Sequence, residues 1–353
     1  MEISPEMQAQ IDEQKKQCVY CKIVKGEIPG KTIYQDDVTQ LIIDIYPAKK
    51  GHSVFIFKEH YPIMPYIPPN EFIHYFGLIP KVCQAIQDGM VALGVNIFLA
   101  NGGAAGQSFP HVLAHFFPRD EGDKFNNFLW KTNTALAEDK VKMLANNLPI
   151  MMSNHFKRNP NQWHVGKGDI PAYLTEIYEN NSVIYEDEKV LCIVPEKGVV
   201  SGHMEIYSKL EKSEIKKLSH EDSAHLFFTA SFAATALFEG LGAHGTNIIL
   251  KSGVSDDNPE GNLCVHVLPR TQGDELASMH WQPQQPEYDI DTIFAKIKDQ
   301  AWKIQPPKEE KMVEKVVLPE PKKLSFGKSE SVNNIEPNSA LDEIQKAIES
   351  LHR

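Results

Sequence analysis

Short apolar or alternating stretches between polar breaks run along this chain, and the same series of stretches occurs twice. In the first pass, Thr32 to Tyr34, Thr39 to Ile45 and Ser53 to Phe57 are rich in β formers and read as strands. Pro68-Pro69-Asn70 then opens a helix to about Leu93, because Phe72, Phe76, Ile79, Val82, Cys83 and Ile86 fall on one helical stripe, and Gly94 is expected to end it. Asn96 to Ala100 and His111 to Phe117 are two more strands, joined by a glycine-rich loop from Asn101 to Gln107. The second pass predicts strands at Ser182 to Tyr185, Val190 to Val194 and Met204 to Tyr207, a helix from about His220 to Leu241, and strands at Asn247 to Lys251 and Leu263 to Leu268.

The two passes are in register. Ile33-Tyr34 returns at Ile184-Tyr185, Gly51-His52 at Gly202-His203, Asn96-Ile97 at Asn247-Ile248 and Pro118-Arg119 at Pro269-Arg270, each 151 positions later. Four landmarks at one offset identify an internal duplication. Strands interrupted by one long helix predict an α+β fold with an antiparallel sheet in each copy. The boundaries read as an N-terminal extension over 1–16, a first domain over 17–147, a connector over 148–180 and a second domain over 181–304. Helices are expected near Leu136 to Asn146 and over Asp289 to Ile304. A proline- and charge-rich stretch without periodicity over 305–338 reads as a disordered linker. The segment 339–353 reads as an amphipathic helix with Leu341, Ile344, Ile348 and Leu351 on one face, which docks on its own domain, docks on a partner protein, or frays.

Composition narrows the function. A net charge of −11 disfavours generic binding to nucleic-acid phosphates, whose affinity comes mostly from Lys and Arg. The polar first residues lack a signal-peptide core, and no apolar run is expected to span a bilayer, so the cytosol is the expected location. Five cysteines, an odd number, do not suggest a disulfide framework. The chemistry concentrates in Gly106-Gln107-Ser108-Phe109-Pro110-His111-Val112-Leu113-Ala114-His115, followed by Pro118-Arg119, and in its later copy Gly261-Asn262-Leu263-Cys264-Val265-His266.

That stretch resembles the signature of the histidine triad (HIT) superfamily of nucleotide hydrolases and transferases, in which three histidines alternate with apolar residues after a Gly-Gln turn. The run from Cys18 to Pro29 is similar to the start of microbial members. The resemblance covers Gln17 to about Trp130 and, more faintly, Asn181 to about Asp274. It implies two HIT-like domains paired as an intramolecular pseudo-dimer, since members commonly pair as homodimers. It also implies covalent chemistry, in which an imidazole attacks the α-phosphorus and water releases the nucleotide.

The resemblance places the nucleophile at Leu113, which has no lone pair, and in the second copy at Cys264. It implies a nucleotide site made of Asp44, Asn101, Gly106, Gln107, Ser108 and His115, with Asp44 toward the ribose and the glycine loop toward phosphate. It further implies a structural zinc held by Cys18, Cys21, His60 and His111; the alternative is two buried thiols beside two unrelated histidines. At the 151-residue offset these four become Asp169, Ala172, Glu211 and Asn262, so the set is present together in one copy and absent together in the other. The leading function is a nucleotide-binding protein, for purine nucleotides or dinucleoside polyphosphates, impaired in covalent nucleotidyl transfer. The rivals are an active hydrolase or transferase using a repositioned histidine, His115 or His266, a metal-activated water or Cys264, and a scaffold acting through the C-terminal helix. Arg119 and Arg270 read as structural ion-pair partners, His52 and His203 as a shared structural pair, and Trp130 and Trp163 as packing residues.

Overall fold

The computed structural model describes residues 4–155, 167–274, 276 and 279–306, all in the unit Met1–Pro307. Trp163, the tail helix and all but the first two residues of the expected linker lie outside them. The first copy contributes β1 (Thr32–Gln35), β2 (Thr39–Ile43), β3 (Ser53–Phe57), β4 (Gly94–Asn101) and β5 (Leu113–Arg119). The second contributes β6 (Ser182–Glu186), β7 (Val190–Val194), β8 (Met204–Ser208), β9 (Gly245–Ser252) and β10 (Cys264–Arg270). All ten join one antiparallel sheet in the order β1-β2-β3-β5-β4-β9-β10-β8-β7-β6. The order is a palindrome about β4 and β9, which makes the pair of domains a pseudo-dimer within one chain. At its centre Phe98 faces Ile249, the two residues being each other's counterparts at the 151-residue offset. Even the irregularity of β1 between Thr32 and Tyr34 returns in β6 between Val183 and Tyr185.

Alternation along the strands sorts their side chains onto two faces. Val95, Ile97, Leu99, Ala114 and Phe116, with Ile248, Leu250, Val265 and Val267, look toward the helices and form the main core. That layer's main members are α3 (Pro69–Met90), α4 (Glu138–His155), α6 (His220–Leu241) and α7 (Ile290–Lys298), while α1 (Pro5–Gln17) opens the chain and α2 (Val19–Val24) and the short α5 (Thr175–Asn180) pack on the other face of the sheet. The crossings are reciprocal. Helix α4 of the first copy lies on α6 of the second, where any side chain at Gly240 would meet Met143. Helix α7 of the second copy lies on α3 of the first, where a side chain at Gly89 would meet the backbone of Ile297. Gly89 and Gly240 are 151 apart.

Three expectations need correction. Helix α3 ends not at Gly94 but at Val91, which adopts the left-handed region with φ 57° and ψ 40°; its counterpart Gly242 does so with φ 66° and ψ 31°. The segment expected only as an extension folds as α1, whose first turn is capped by Ser4 Oγ accepting the Met7 N–H at 3.2 Å, with Pro5 opening it. Finally, α6 is long and apolar enough to cross a membrane by length and composition, but 61% of that stretch is buried inside the protein, as befits a core helix.

Candidate functional site

The second face of the sheet carries the chemistry. Cys18 caps α2 and Cys21 lies buried on it; His60 follows β3, and His111 stands just before β5 begins at Leu113. These elements converge, with Cys18 Sγ 3.4 Å and Cys21 Sγ 3.6 Å from His111 Nδ1, and Cys21 Sγ 3.2 Å from His60 Nδ1. All four donor atoms lie within 4.8 Å of one another and all four residues are buried. A tetrahedral zinc with ordinary Zn–S and Zn–N lengths separates sulfur from nitrogen by about 3.6 Å, so the donor set fits the ion. His111 donates from Nε2 to the Phe57 carbonyl at 2.9 Å, which leaves Nδ1 free to act as a ligand. At the second copy's matching corner, Glu211 instead caps a turn, accepting the N–H groups of Ser213 and Glu214.

Beside this cluster lies a cavity of about 600 Å³. Asp44, Gly106, Gln107, Ser108, His111, Leu113 and His115 all reach its wall, so most of the residues expected there are brought together. His115 is fixed from behind. The Ala48 N–H donates to His52 Nδ1 at 3.3 Å, which assigns the ring proton to Nε2, and this donates to His115 Nδ1 at 3.0 Å. Burial pushes both imidazoles down to about 3, so they are neutral at physiological pH. His115 Nε2 then carries a proton and has no hydrogen-bond partner among the described residues. Asp44 accepts the Tyr46 N–H at 2.8 Å and stands 3.4 Å from His52 Nδ1.

The other candidates behave differently. Gln107 is engaged in shaping the glycine loop, accepting the Gly102 N–H and donating to the Pro62 carbonyl, each at 2.8 Å. Gly106 sits at φ 80°, a conformation that favours glycine. Asn101 is not brought to the cavity wall; its amide accepts the Met64 N–H at 3.2 Å. Leu113 turns one side to the cavity and packs the other into a cluster of Ile42, Val54 and Ile56 with Tyr20, Ile23 and Val24 of α2.

The second copy keeps the histidine relay and carries charged side chains at two positions that line the first copy's cavity. His203 Nε2 meets His266 Nδ1 at 3.1 Å, with the Val199 N–H on His203 Nδ1 at 3.3 Å, a repeat of the first arrangement. At the offset of Ala100 stands Lys251, which donates to the Phe128 carbonyl at 2.8 Å and the Asp257 carbonyl at 3.0 Å, with its ammonium 4.1 Å from the Trp130 ring centroid. Asp257 occupies the offset of Gly106. Its carboxylate accepts Arg119 at 2.6 Å and Asn96 at 2.9 Å, which gives Arg119 the ion-pair role expected for it. Arg270 pairs likewise with Asp274. Cys264 is buried beside Tyr207, Leu174 and Leu191, and burial pushes its thiol well above the ordinary range. It has the environment of a packing residue rather than a thiolate. His266 is held neutral by burial in the same way.

Two residues escaped the sequence reading. Trp281 reaches across from the second copy and lies edge-on over His115 at 4.9 Å and His52 at 5.4 Å; Trp130 does the same to His266 at 5.2 Å. His280 comes with Trp281 and also lines the cavity. The signal was present, since Trp281 lies 151 residues after Trp130.

Comparison with known proteins bears on both copies. A family profile described as HIT domain matches residues 25–122 and 176–273. Protein hit of Bacillus subtilis is 36% identical over 117 residues, 33% of this chain and 80% of its own. An adenosine 5'-monophosphoramidase of Schizosaccharomyces pombe is 33% identical over 128 residues, 36% of this chain and 92% of its own. Among solved structures, an ADP-glucose phosphorylase from Arabidopsis thaliana with bound ADP-glucose aligns over 80% of this chain and 89% of its own, at a TM-score of 0.51 and 14% identity, a likeness of fold that spans both copies.

Proposed function

This chain belongs to the histidine triad (HIT) family as a tandem of two HIT domains, and from that premise we propose that its first copy binds a purine nucleotide or dinucleoside polyphosphate without performing covalent nucleotidyl transfer. One observation carries the reading: the first copy keeps the cavity, Asp44, the glycine loop and the His52–His115 relay, with a leucine where the nucleophile belongs. Covalent transfer needs a lone pair aimed at phosphorus, and Leu113 has none. Neither flanking histidine is free to supply it, because His111 faces the cysteines and the Phe57 carbonyl while His115 Nδ1 is taken by His52. In the second copy Lys251 and Asp257 stand where the first has Ala100 and Gly106, and the Cys264 thiol is held protonated by burial.

The name of the Schizosaccharomyces pombe relative supports adenine nucleotides as the first ligands to test. Cys18, Cys21, His60 and His111 hold zinc in this reading, and the ion supplies a rigid anchor between α2, the loop after β3 and the start of β5. Isothermal titration of the full chain with AMP and ATP tests the binding. Saturable heat with one site per chain is expected; no heat and no thermal stabilisation at millimolar ligand would remove the proposal. The absence of transfer is tested separately, by AMP release from adenosine 5'-phosphoramidate, where no turnover above the uncatalysed rate is expected.

A further inference from the structure

We propose that His280, carried across from the second copy, is a phosphate-contacting residue of the first copy's cavity, so that the bound nucleotide is gripped from both copies; this rests on the nucleotide reading above. The cavity's wall presents no lysine or arginine among the described residues, and Asp44 is its charged side chain. A phosphate there has to be met by neutral N–H and O–H donors. Leu113 removes one imidazole, His111 is turned to the cysteines, and His52 stands behind His115. Ser108, His115 and His280 are among the side-chain donors that remain on the wall, beside Tyr20, Tyr46, Trp281 and Gln282, and no hydrogen bond holds His280 among the described residues.

The position of the ring is specific. It lies against Gly106, where a side-chain carbon would come within 2.0 Å of His280 Cε1, 2.6 Å of Nε2 and 2.7 Å of Nδ1. Its edge is propped by Phe98, with ring centroids 6.0 Å apart and planes at 90°. Glycine at 106 therefore does two things, taking the left-handed turn of the loop and leaving room for this imidazole. Burial pushes the ring below the ordinary histidine range, so it enters as a neutral donor.

The duplication supplies an independent check. In the second copy, where Lys251 replaces Ala100, Gly106 becomes Asp257 and the counterpart of His280 is Leu129, a residue 58% exposed. Glycine and histidine occur together on the first copy's cavity, and both are gone from the second copy. Paired loss is what a shared task at one phosphate predicts.

The experiment titrates the full chain with AMP, ATP and adenosine, and repeats this for His280→Ala and for His280→Leu, which copies the residue at position 129. Losing one hydrogen bond to a charged group is expected to weaken AMP and ATP roughly 10- to 100-fold. Adenosine, which has no phosphate, is expected to stay within about twofold of the unsubstituted chain. His280→Gln, which keeps a donor, is expected to recover most of the AMP affinity, and a folded His280→Leu serves if the alanine variant does not fold. If the unsubstituted chain binds AMP and the variants bind it equally well, or lose adenosine and AMP alike, His280 has no phosphate role and the nucleotide reading stands. If the unsubstituted chain binds none of the three probes, the nucleotide reading falls and this proposal with it.

Discussion

Replacing Leu113 by histidine tests whether a single side chain separates binding from chemistry here. The residue is half-buried, with the Ile42, Val54, Ile56 cluster and α2 on one side and the cavity on the other. A fully buried leucine contributes about 1.5–3 kcal/mol. With half of that surface already facing the cavity, and the carbons of an imidazole recovering part of the rest, Leu113→His is expected to cost about 1 kcal/mol, or about 1–2 °C in melting temperature for a protein of this size. The backbone need not move, because position 113 lies in β5 opposite Ile56, where histidine is as extended as leucine.

The gain is in reactivity. The new imidazole would stand two residues from His115 on the same face of the strand, about 6.8 Å along it, with the relay intact. Its nitrogen attacks the α-phosphorus of adenosine 5'-phosphoramidate, the P–N bond to the amine breaks as that nitrogen takes a proton, and water then cleaves the phosphohistidine bond to give AMP. Deleting a nucleophile from a covalent enzyme costs up to about 10⁶ in turnover. Even if imperfect placement forfeits four powers of ten, AMP release is expected to rise at least about 100-fold over the unsubstituted chain. Coupled detection of AMP and acid-quench trapping of the labelled protein measure the two steps. A folded variant that binds AMP normally yet releases none would show that position 113 does not decide reactivity, and so would an unsubstituted chain that already turns over at the variant's rate.

Three further outcomes follow from other parts of the molecule. Purified with zinc supplied, the chain should carry one zinc by metal analysis, and Cys21→Ser should lose it together with at least about 3 kcal/mol of stability; a variant that keeps full metal content and melting temperature would remove the Cys18, Cys21, His60, His111 site. Val91→Gly should stabilise by about 0.5–1 kcal/mol, because the 86% exposed valine gives up little packing while leaving a left-handed conformation that glycine adopts freely; a lower urea midpoint would show that its strain is compensated. Stability should fall as pH drops below about 6.5, the ordinary histidine value, since His52, His115 and His203 stay neutral down to about 3 in the folded chain whereas the unfolded chain takes up their protons. Each contributes up to about 1.4 kcal/mol per pH unit, offset in part by Glu205, which burial pushes up, and equal urea midpoints at pH 7.5 and 5.5 would contradict the neutral relay.

How far the sequence could be read depended on whether a local pattern or a distant contact decided each element. Strands β3 and β7 and helix α6 match their sequence ranges to the residue, because β formers, or a helical stripe opened by Ser219 at the N-cap, decide them locally. The end of α3 was misplaced because Gly94 is the expected stop; Val91 takes the left-handed C-cap against its own preference, with the Ala92 N–H donating to the Gln87 carbonyl at 2.9 Å, and Gly94 is pressed instead against the Ser252 carbonyl of the partner strand. Helix α1 buries only Ile11 and so shows no apolar stripe. In the site, Asp44, the loop from Gly106 to Ser108 and His115 were legible because each lies within one copy's own motif. Trp281 and His280 were not, because they arrive from the other copy's arm, and nothing in the first copy's sequence records that crossing.

The duplication also separates what holds this molecule together from what equips it for a ligand. Gly89 and Gly240 admit the crossing helices, Trp130 and Trp281 cover the histidines, and Arg119 and Arg270 anchor the strand ends, in both copies. The two relays recur as well. A buried histidine pair that recurs in a copy where Lys251 and Asp257 replace Ala100 and Gly106 is accounted for by packing and hydrogen bonding, because either ring left alone would bury an unsatisfied nitrogen. The relay is thus no evidence of catalysis in either copy. What distinguishes the open cavity is the set that changes with it: Gly106, Ala100, His280 and the Cys18, Cys21, His60, His111 cluster. Of these, the first two make room, the third adds a donor, and the cluster fixes α2 with Tyr20 on the cavity wall. Leu113 joins that same apolar contact with α2, so under the proposed function the residue at the nucleophile position also packs the wall of the pocket, and one side chain would account both for binding and for the absence of transfer.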